Sequence, residues 1–178
     1  PGAAPTTAPA AGPADTSPVD PDAPPSWLAD PERVAEHERW LLELTGRPTA
    51  AGREEHVVAW IEAWARERDL TLERDPHGNL SITGAGGEEG PPLVLQAHLD
   101  HPAFVVEDVA EDGSLDLTFR GGVRDPYFVG ARIVLLTDDG RRHGAVITAS
   151  ERLEPLRRCR AELDDASAEV PPGSIGVW

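Results

Sequence analysis

Leu93-Val94-Leu95-Gln96-Ala97-His98-Leu99-Asp100-His101 is an apolar run that ends in two histidines and an acid. Its first five residues, with Gln96 as the one polar member, predict a short strand at a sheet centre, covered on both faces. In open α/β sheets, ligands gather at the carboxyl ends of the strands, so the residues after Ala97 stand where chemistry is done. His98 and Asp100 are two apart, and in extended chain their side chains leave the same face. A histidine that binds metal through one ring nitrogen commonly donates its other N–H to a carboxylate, which fixes the tautomer and raises the basicity of the ring. A solvated strand end accounts for the same two residues, so on local grounds both readings stand.

Upstream of this run the pattern is helix, helix, strand, strand. Asp30-Pro31-Glu32 combines a capping acid, a proline at the first helical position and an early negative charge, which predicts a helix start. Val34, Leu41 and Leu44 carry its apolar stripe to Gly46. Gly52-Arg53-Glu54-Glu55 opens a second helix, with Val57, Val58, Ile61 and Trp64 at helical spacing and Arg66 and Arg68 near its end. Leu70-Thr71-Leu72-Glu73 and Leu80-Ser81-Ile82-Thr83 read as paired strands around the turn Asp75-Pro76-His77-Gly78-Asn79, and 84–92 as a loop.

Downstream the character changes to strands with tight turns. Phe104–Val109 pairs with Ser114–Phe119 across Glu111-Asp112-Gly113, and Ile133–Thr137 pairs with Gly144–Thr148 across Asp138-Asp139-Gly140. Residues 157–163 add a further strand. Several short strands at this spacing predict a small barrel or sandwich.

Composition excludes whole classes of function. The 178 residues carry a formal charge of −16, so a basic nucleic-acid footprint is absent. No run approaches the roughly 18 apolar residues of a membrane-spanning helix, and the single Cys159 cannot form an internal disulfide. Residues 1–26 are mostly Pro, Ala, Thr, Gly and Asp with Val19 as the one large aliphatic, so they cannot bury enough apolar surface to order, and a disordered tail is expected. That tail lacks the basic start and apolar run of a signal peptide. A cytoplasmic home is the expectation, with secretion left open. No methionine occurs and Val177-Trp178 closes an apolar stretch, so the chain is expected to be a piece of a longer protein.

Other polar residues have plainer readings. Glu88-Glu89 sits in a Gly-rich loop and reads as a solvated turn; Glu54-Glu55 serves the positive end of a helix. His37 and His56 have no companion ligand at helical spacing, and His77, His101 and His143 are expected exposed. Cys159 reads as a structural residue on a strand, and Trp40, Trp60 and Trp64 as helix-packing anchors.

Taken in order, several pieces resemble the dinuclear metallo-aminopeptidases of metallopeptidase family 42, of the tetrahedral and glutamyl aminopeptidase type. They are Leu41–Thr45 with Gly52-Arg53-Glu54-Glu55, Asp75-Pro76-His77-Gly78-Asn79-Leu80, and Ala97-His98-Leu99-Asp100 followed by Phe104-Val105-Val106. Gly121-Gly122-Val123, Gly130–Val134 and Gly144–Ile147 complete the series. The resemblance implies an α/β fold, the amino-terminal part of a mixed-sheet, zinc-aminopeptidase-like catalytic domain with an inserted small β-barrel, a PDZ-like dimerisation domain. The boundaries it implies are 27–101 for the catalytic part, 102–170 for the insert and 171–178 for the start of a return to the catalytic domain. It makes His98 a ligand to one of two divalent ions, zinc or cobalt, and gives Asp100 a place in the catalytic apparatus as the carboxylate that orients His98. It implies a peptide substrate trimmed from its N-terminus through a metal-bridged water, and a homo-oligomer formed through the β-domain. His101 departs from the family, which usually has an acid there. The remaining ligands and the general base are expected beyond Trp178, so the fragment itself is expected to be inactive. Two alternatives stay open: a related dinuclear hydrolase (a carboxypeptidase or an acyl-amino-acid amidohydrolase), and a non-catalytic assembly protein of the same fold.

Overall fold

The computed structural model describes residues 28, 30–84, 93–153 and 156–178. The expected tail 1–26, most of the 84–92 loop and Glu88-Glu89 lie outside them. The first helix, α1 (Pro31–Thr45), starts as predicted, with Asp30 Oδ1 accepting from the backbone N–H of Glu32 at 3.0 Å and of Arg33 at 3.4 Å. The chain divides into two compact units at Leu41, inside this helix, and the unit from Leu42 onward carries all that follows.

The second helix, α2 (Glu55–Arg66), buries Val57 and Ala65 on its apolar stripe. The Glu54 carboxylate before it accepts from the Gly52 N–H at 2.8 Å. Asp69, at φ 53°, turns the chain out of the helix, and Leu70 N–H closes back on Ala65 O at 3.0 Å. Strands β1 (Thr71–Arg74) and β2 (Leu80–Thr83) pair antiparallel. Asp75 holds their turn together by accepting from the N–H groups of His77 and Asn79, both at 2.8 Å. Trp60 and Trp64 stack on α2 at 6.4 Å between ring centres, and the Trp60 indole donates to Glu43 at 3.1 Å, in keeping with anchoring roles.

The rest of the chain winds into a closed, wholly antiparallel barrel. Its strands are β3 (Ala103–Val109), β4 (Leu115–Arg120), β5 (Arg132–Leu136), β6 (Arg142–Leu153), β7 (Leu156–Leu163) and β8 (Ile175–Val177), in the spatial order β3-β4-β7-β6-β5-β8. Both predicted Asp-Gly hairpins form. Alternate residues point inward: Leu115, Leu117 and Phe119 on β4, Ile133 and Leu135 on β5, Cys159 and Ala161 on β7. Each fully buried Leu, Ile or Phe adds about 1.5–3 kcal/mol of stabilisation. Phe104, Phe119, Phe128 and Trp178 gather at one end in edge-on contacts 4.9–6.0 Å between ring centres.

Strand β3 breaks the alternation, because Ala103, Phe104, Val105 and Val106 are all buried. Its outer face is covered too: Ala103 and Val105 pack with Ile175 and with Ala50 from the segment ahead of α2.

Four expectations are corrected here. Residues 171–178 do not leave the barrel; Ile175–Val177 closes it between β3 and β5. Leu93–Ala97 is no covered strand, because Leu93, Val94 and Leu95 are 87, 79 and 87% exposed and no ladder holds them. A central strand needs a neighbour on each edge, and among the described residues none pairs with this run. The expected mixed sheet is likewise missing among them; outside the barrel the ladder is β1–β2. His143 also departs from expectation: it lies on β6, half-buried, with Nε2 shut off from solvent.

Candidate functional site

His98 and Asp100 are brought together as the sequence predicts. The His98 Nδ1 lies 3.1 Å from Asp100 Oδ1 and 3.0 Å from the Asp100 backbone oxygen. A carbonyl oxygen and an ionised carboxylate can only accept, so Nδ1 carries the hydrogen. In the neutral ring, the lone pair is then on Nε2. The His98 side chain is 82% exposed and that of Asp100 38%, so the ring stands in the open with its carboxylate partner half-sheltered at its base. His101 is exposed.

Three contacts set the backbone under this pair. The Thr49 hydroxyl donates to Leu99 O at 3.3 Å. Pro102 fits against Gly121, where a side-chain carbon would come within 2.8 Å of the proline ring; only glycine permits that approach. Ala103 then enters β3 fully buried. Thr49 is itself 4% exposed. Little in the local sequence singles it out, since a threonine after Arg47-Pro48 fits a loop; the small residues Thr49-Ala50-Ala51 ahead of a helix start are the signal of close packing.

An imidazole with Nδ1 tied to a carboxylate and Nε2 free is the arrangement of a histidine ligand. It could supply one ligand, and among the described residues no group of three or more His, Cys, Asp or Glu side chains converges.

Other chemically capable groups have structural work. Cys159 is buried in the barrel, its thiol pushed up by burial, and it lies 3.7 Å from Ser150 Oγ. His56 Nε2 lies 3.3 Å from Asp138 Oδ1, joining α2 to the β5–β6 turn. Arg120 spans from Glu107 at 3.4 Å to Ala51 O at 2.7 Å, fastening the segment before α2 to the barrel. Among the described residues no helix is long and apolar enough to cross a membrane.

Comparison with known proteins agrees with this layout. The M42 glutamyl aminopeptidase family model matches residues 78–164, from the β1–β2 turn through His98 and Asp100 to the end of β7. The cytosol non-specific dipeptidase of Escherichia coli (strain K12) is 38% identical over 154 residues, covering 78% of this chain and 30% of the dipeptidase. Among solved structures, aminopeptidase APDkam598 from the archaeon Desulfurococcus kamchatkensis superposes with a TM-score of 0.61 at 22% identity, over 81% of this chain and 43% of its own. PhTET1-12s, solved as a dodecamer, gives 0.54 at 24% identity over 77% and 44%. The TET aminopeptidase of a marine sediment archaeon, Thaumarchaeota archaeon SCGC AB-539-E09, gives 0.59 at 19% over 81% and 44%. At such identities the structural likeness speaks for the fold. The chain spans under half the length of each of these relatives. The stretch 78–164, which holds the His98–Asp100 pair and most of the barrel, is the part of this chain that is similar to the M42 glutamyl aminopeptidase family.

Proposed function

We propose that this chain is the amino-terminal share of a metal-dependent aminopeptidase that removes N-terminal residues from peptides. The observation that carries the reading is the double hold on His98 Nδ1, which leaves Nε2 open as a ligand atom on an exposed ring. In this reading His98 would hold one of two divalent ions, zinc or cobalt, and Asp100 keeps its ring in the right tautomer and direction. When bound, such a pair of ions supplies an activated water and polarisation of the scissile carbonyl. In this reading the other ligands and the general base belong to the full-length protein beyond these 178 residues, so the 178-residue chain alone is expected to be inactive. The E. coli relative's dipeptidase name supports the substrate class, since cleaving a dipeptide also releases an N-terminal residue. That name also supports a cytoplasmic location. The barrel is read as the inserted, PDZ-like dimerisation domain of a homo-oligomer, and the dodecameric relative supports that assembly.

The test is His98→Ala in the full-length protein. The expected result is loss of one metal ion per subunit by mass spectrometry and of nearly all hydrolysis of an aminoacyl-anilide and of dipeptides. Unchanged metal content and rate would reject the assignment.

A further inference from the structure

The His98–Asp100 pair hangs on a segment with no ladder of its own. Both acceptors on Nδ1 belong to Asp100, its carboxylate and the carbonyl of the 100–101 peptide, so the ring direction depends on how Asp100 is placed, and the peptide that enters it from Leu99 sets that placement. Leu99 O is the carbonyl of that peptide, and Thr49 Oγ1 donates to it at 3.3 Å across 50 residues of chain.

Thr49 is in a position to act as a fixed point. Its neighbour Ala50 is fully buried against Ala103, Val105 and Ile175 on the outside of the barrel. The short segment is closed on itself by Ala50 N–H to Arg53 O at 3.3 Å and Arg53 N–H to Ala50 O at 2.8 Å. Arg120 then ties Ala51 O to β4 at 2.7 Å. On the other side of the pair, Pro102 is wedged against Gly121. The peptide under the imidazole therefore sits between two points that the barrel itself holds rigid.

We propose that Thr49 is a positioning residue for the His98–Asp100 pair, its hydroxyl fixing the 99–100 peptide so that His98 Nε2 keeps one direction. The proposal rests on the reading of His98 as a metal ligand. The competing role is simple satisfaction of a buried hydroxyl, and that role makes no demand on the ring.

The two roles separate by measurement. Thr49→Val keeps the shape and removes the donor; Thr49→Ser keeps the donor; Thr49→Ala repeats the loss of the donor without a β-branch, should valine disturb the barrel. In the labelled 178-residue chain, Thr49→Val is expected to lower the backbone order parameters of Asp100 and His101 from about 0.85 toward 0.6. It is also expected to broaden or shift the His98 ring nitrogens, with β3 and β4 signals unchanged and Thr49→Ser like the parent. In the full-length protein, metal retention against a chelator should fall about 10–100-fold, the usual effect of losing an outer partner of a ligand. Order parameters and ring signals that stay at parental values in both hydroxyl-free variants would overturn the proposal. So would loosening that spreads equally through β3 and β4. A His98→Ala protein that keeps its full metal content would instead defeat the ligand reading, and the order parameters would still decide the role of Thr49.

Discussion

The guanidinium carbon of Arg157 lies 4.2 Å above the centre of the Phe128 ring, at the aromatic end of the barrel. Arg157 is 8% exposed, donates to Ser150 Oγ at 2.9 Å and pairs with the outward-facing Asp125. A cation taken so far from water needs all three partners. Replacing the cation itself removes its burial cost, whereas removing Asp125 leaves the cost in place. Arg157→Met is therefore expected to stay within about 1 kcal/mol of the parent, because buried ion pairs exchange for apolar groups at little loss. Asp125→Ala is expected to lose about 1–3 kcal/mol, as for a hydrogen bond to a charged group. Urea unfolding of both variants decides the matter, and the reverse order would show that the charge itself stabilises the end of the barrel.

Gly176 sits in the closing strand with Phe104 and Leu135 on either side. A side-chain carbon there would lie 3.0 Å from Leu135 Cδ2 and 3.1 Å from Phe104 Cβ. Gly176→Ala should thus overpack the barrel and cost about 1–3 kcal/mol in urea unfolding. A cost near zero would mean that the last strand lies elsewhere.

That strand also marks where reading the sequence stops. The hairpins β3–β4 and β5–β6 were legible because each is local: alternating apolar residues flank an Asp-Gly turn, and the turn names the partner. Ile175-Gly176-Val177 is three residues long and pairs with strands some 40 and 70 positions earlier, for which no local pattern exists. Leu93–Ala97 failed in the opposite sense. Apolar content reports a need for cover but not whether a neighbour is there to give it. Of the candidate site, the contact between His98 and Asp100 is legible from their spacing, while Thr49 reaches Leu99 only through the way Ala50 packs on β3.

The exposure of the 93–95 run has a direct consequence. Leu95→Ser should leave the urea midpoint of the 178-residue chain unchanged within about 0.5 kcal/mol, because the side chain is 87% exposed and gives up no packing. The same change should lower any concentration-dependent association seen by light scattering, since contiguous apolar surface drives self-association. A loss of stability beyond about 1 kcal/mol would place Leu95 in a core after all.

The β5–β6 turn supplies an acid-range signature. The Asp139 carboxyl accepts from the Thr137 hydroxyl and from Arg141 Nε, the latter at 2.6 Å, and these bonds hold it down from 3.8 to about 2. A carboxylate lowered on folding favours the folded form while ionised. Its contribution is complete above about pH 4 and fades as pH falls toward about 2, where the folded form also takes up the proton. Asp139→Ala should be the less stable protein at pH 7 and should show a flatter decline between pH 4 and pH 2. Urea midpoints measured across that range in parent and variant test this, and parallel curves would mean that the turn bonds carry no linkage.

Asp100 offers the sharpest chemical test, because its two variants separate geometry from charge. Asp100→Asn keeps a side-chain oxygen that can accept from His98 Nδ1, so the tautomer with Nε2 unprotonated survives, but the negative charge that raises ring basicity is gone. Asp100→Ala removes the side-chain acceptor and leaves the backbone oxygen, 3.0 Å from Nδ1, to hold the ring alone. In the full-length protein, metal retention against a chelator is expected to fall in the order parent, Asn, Ala, within the overall range of about 10–100-fold typical of such partners. The ring nitrogen signals of His98 should keep the same tautomer in Asn and lose definition in Ala. Equal losses in the two variants would show that the charge of Asp100 matters and its hydrogen bond does not. An Asn variant indistinguishable from the parent would show that direction alone is what the carboxylate provides.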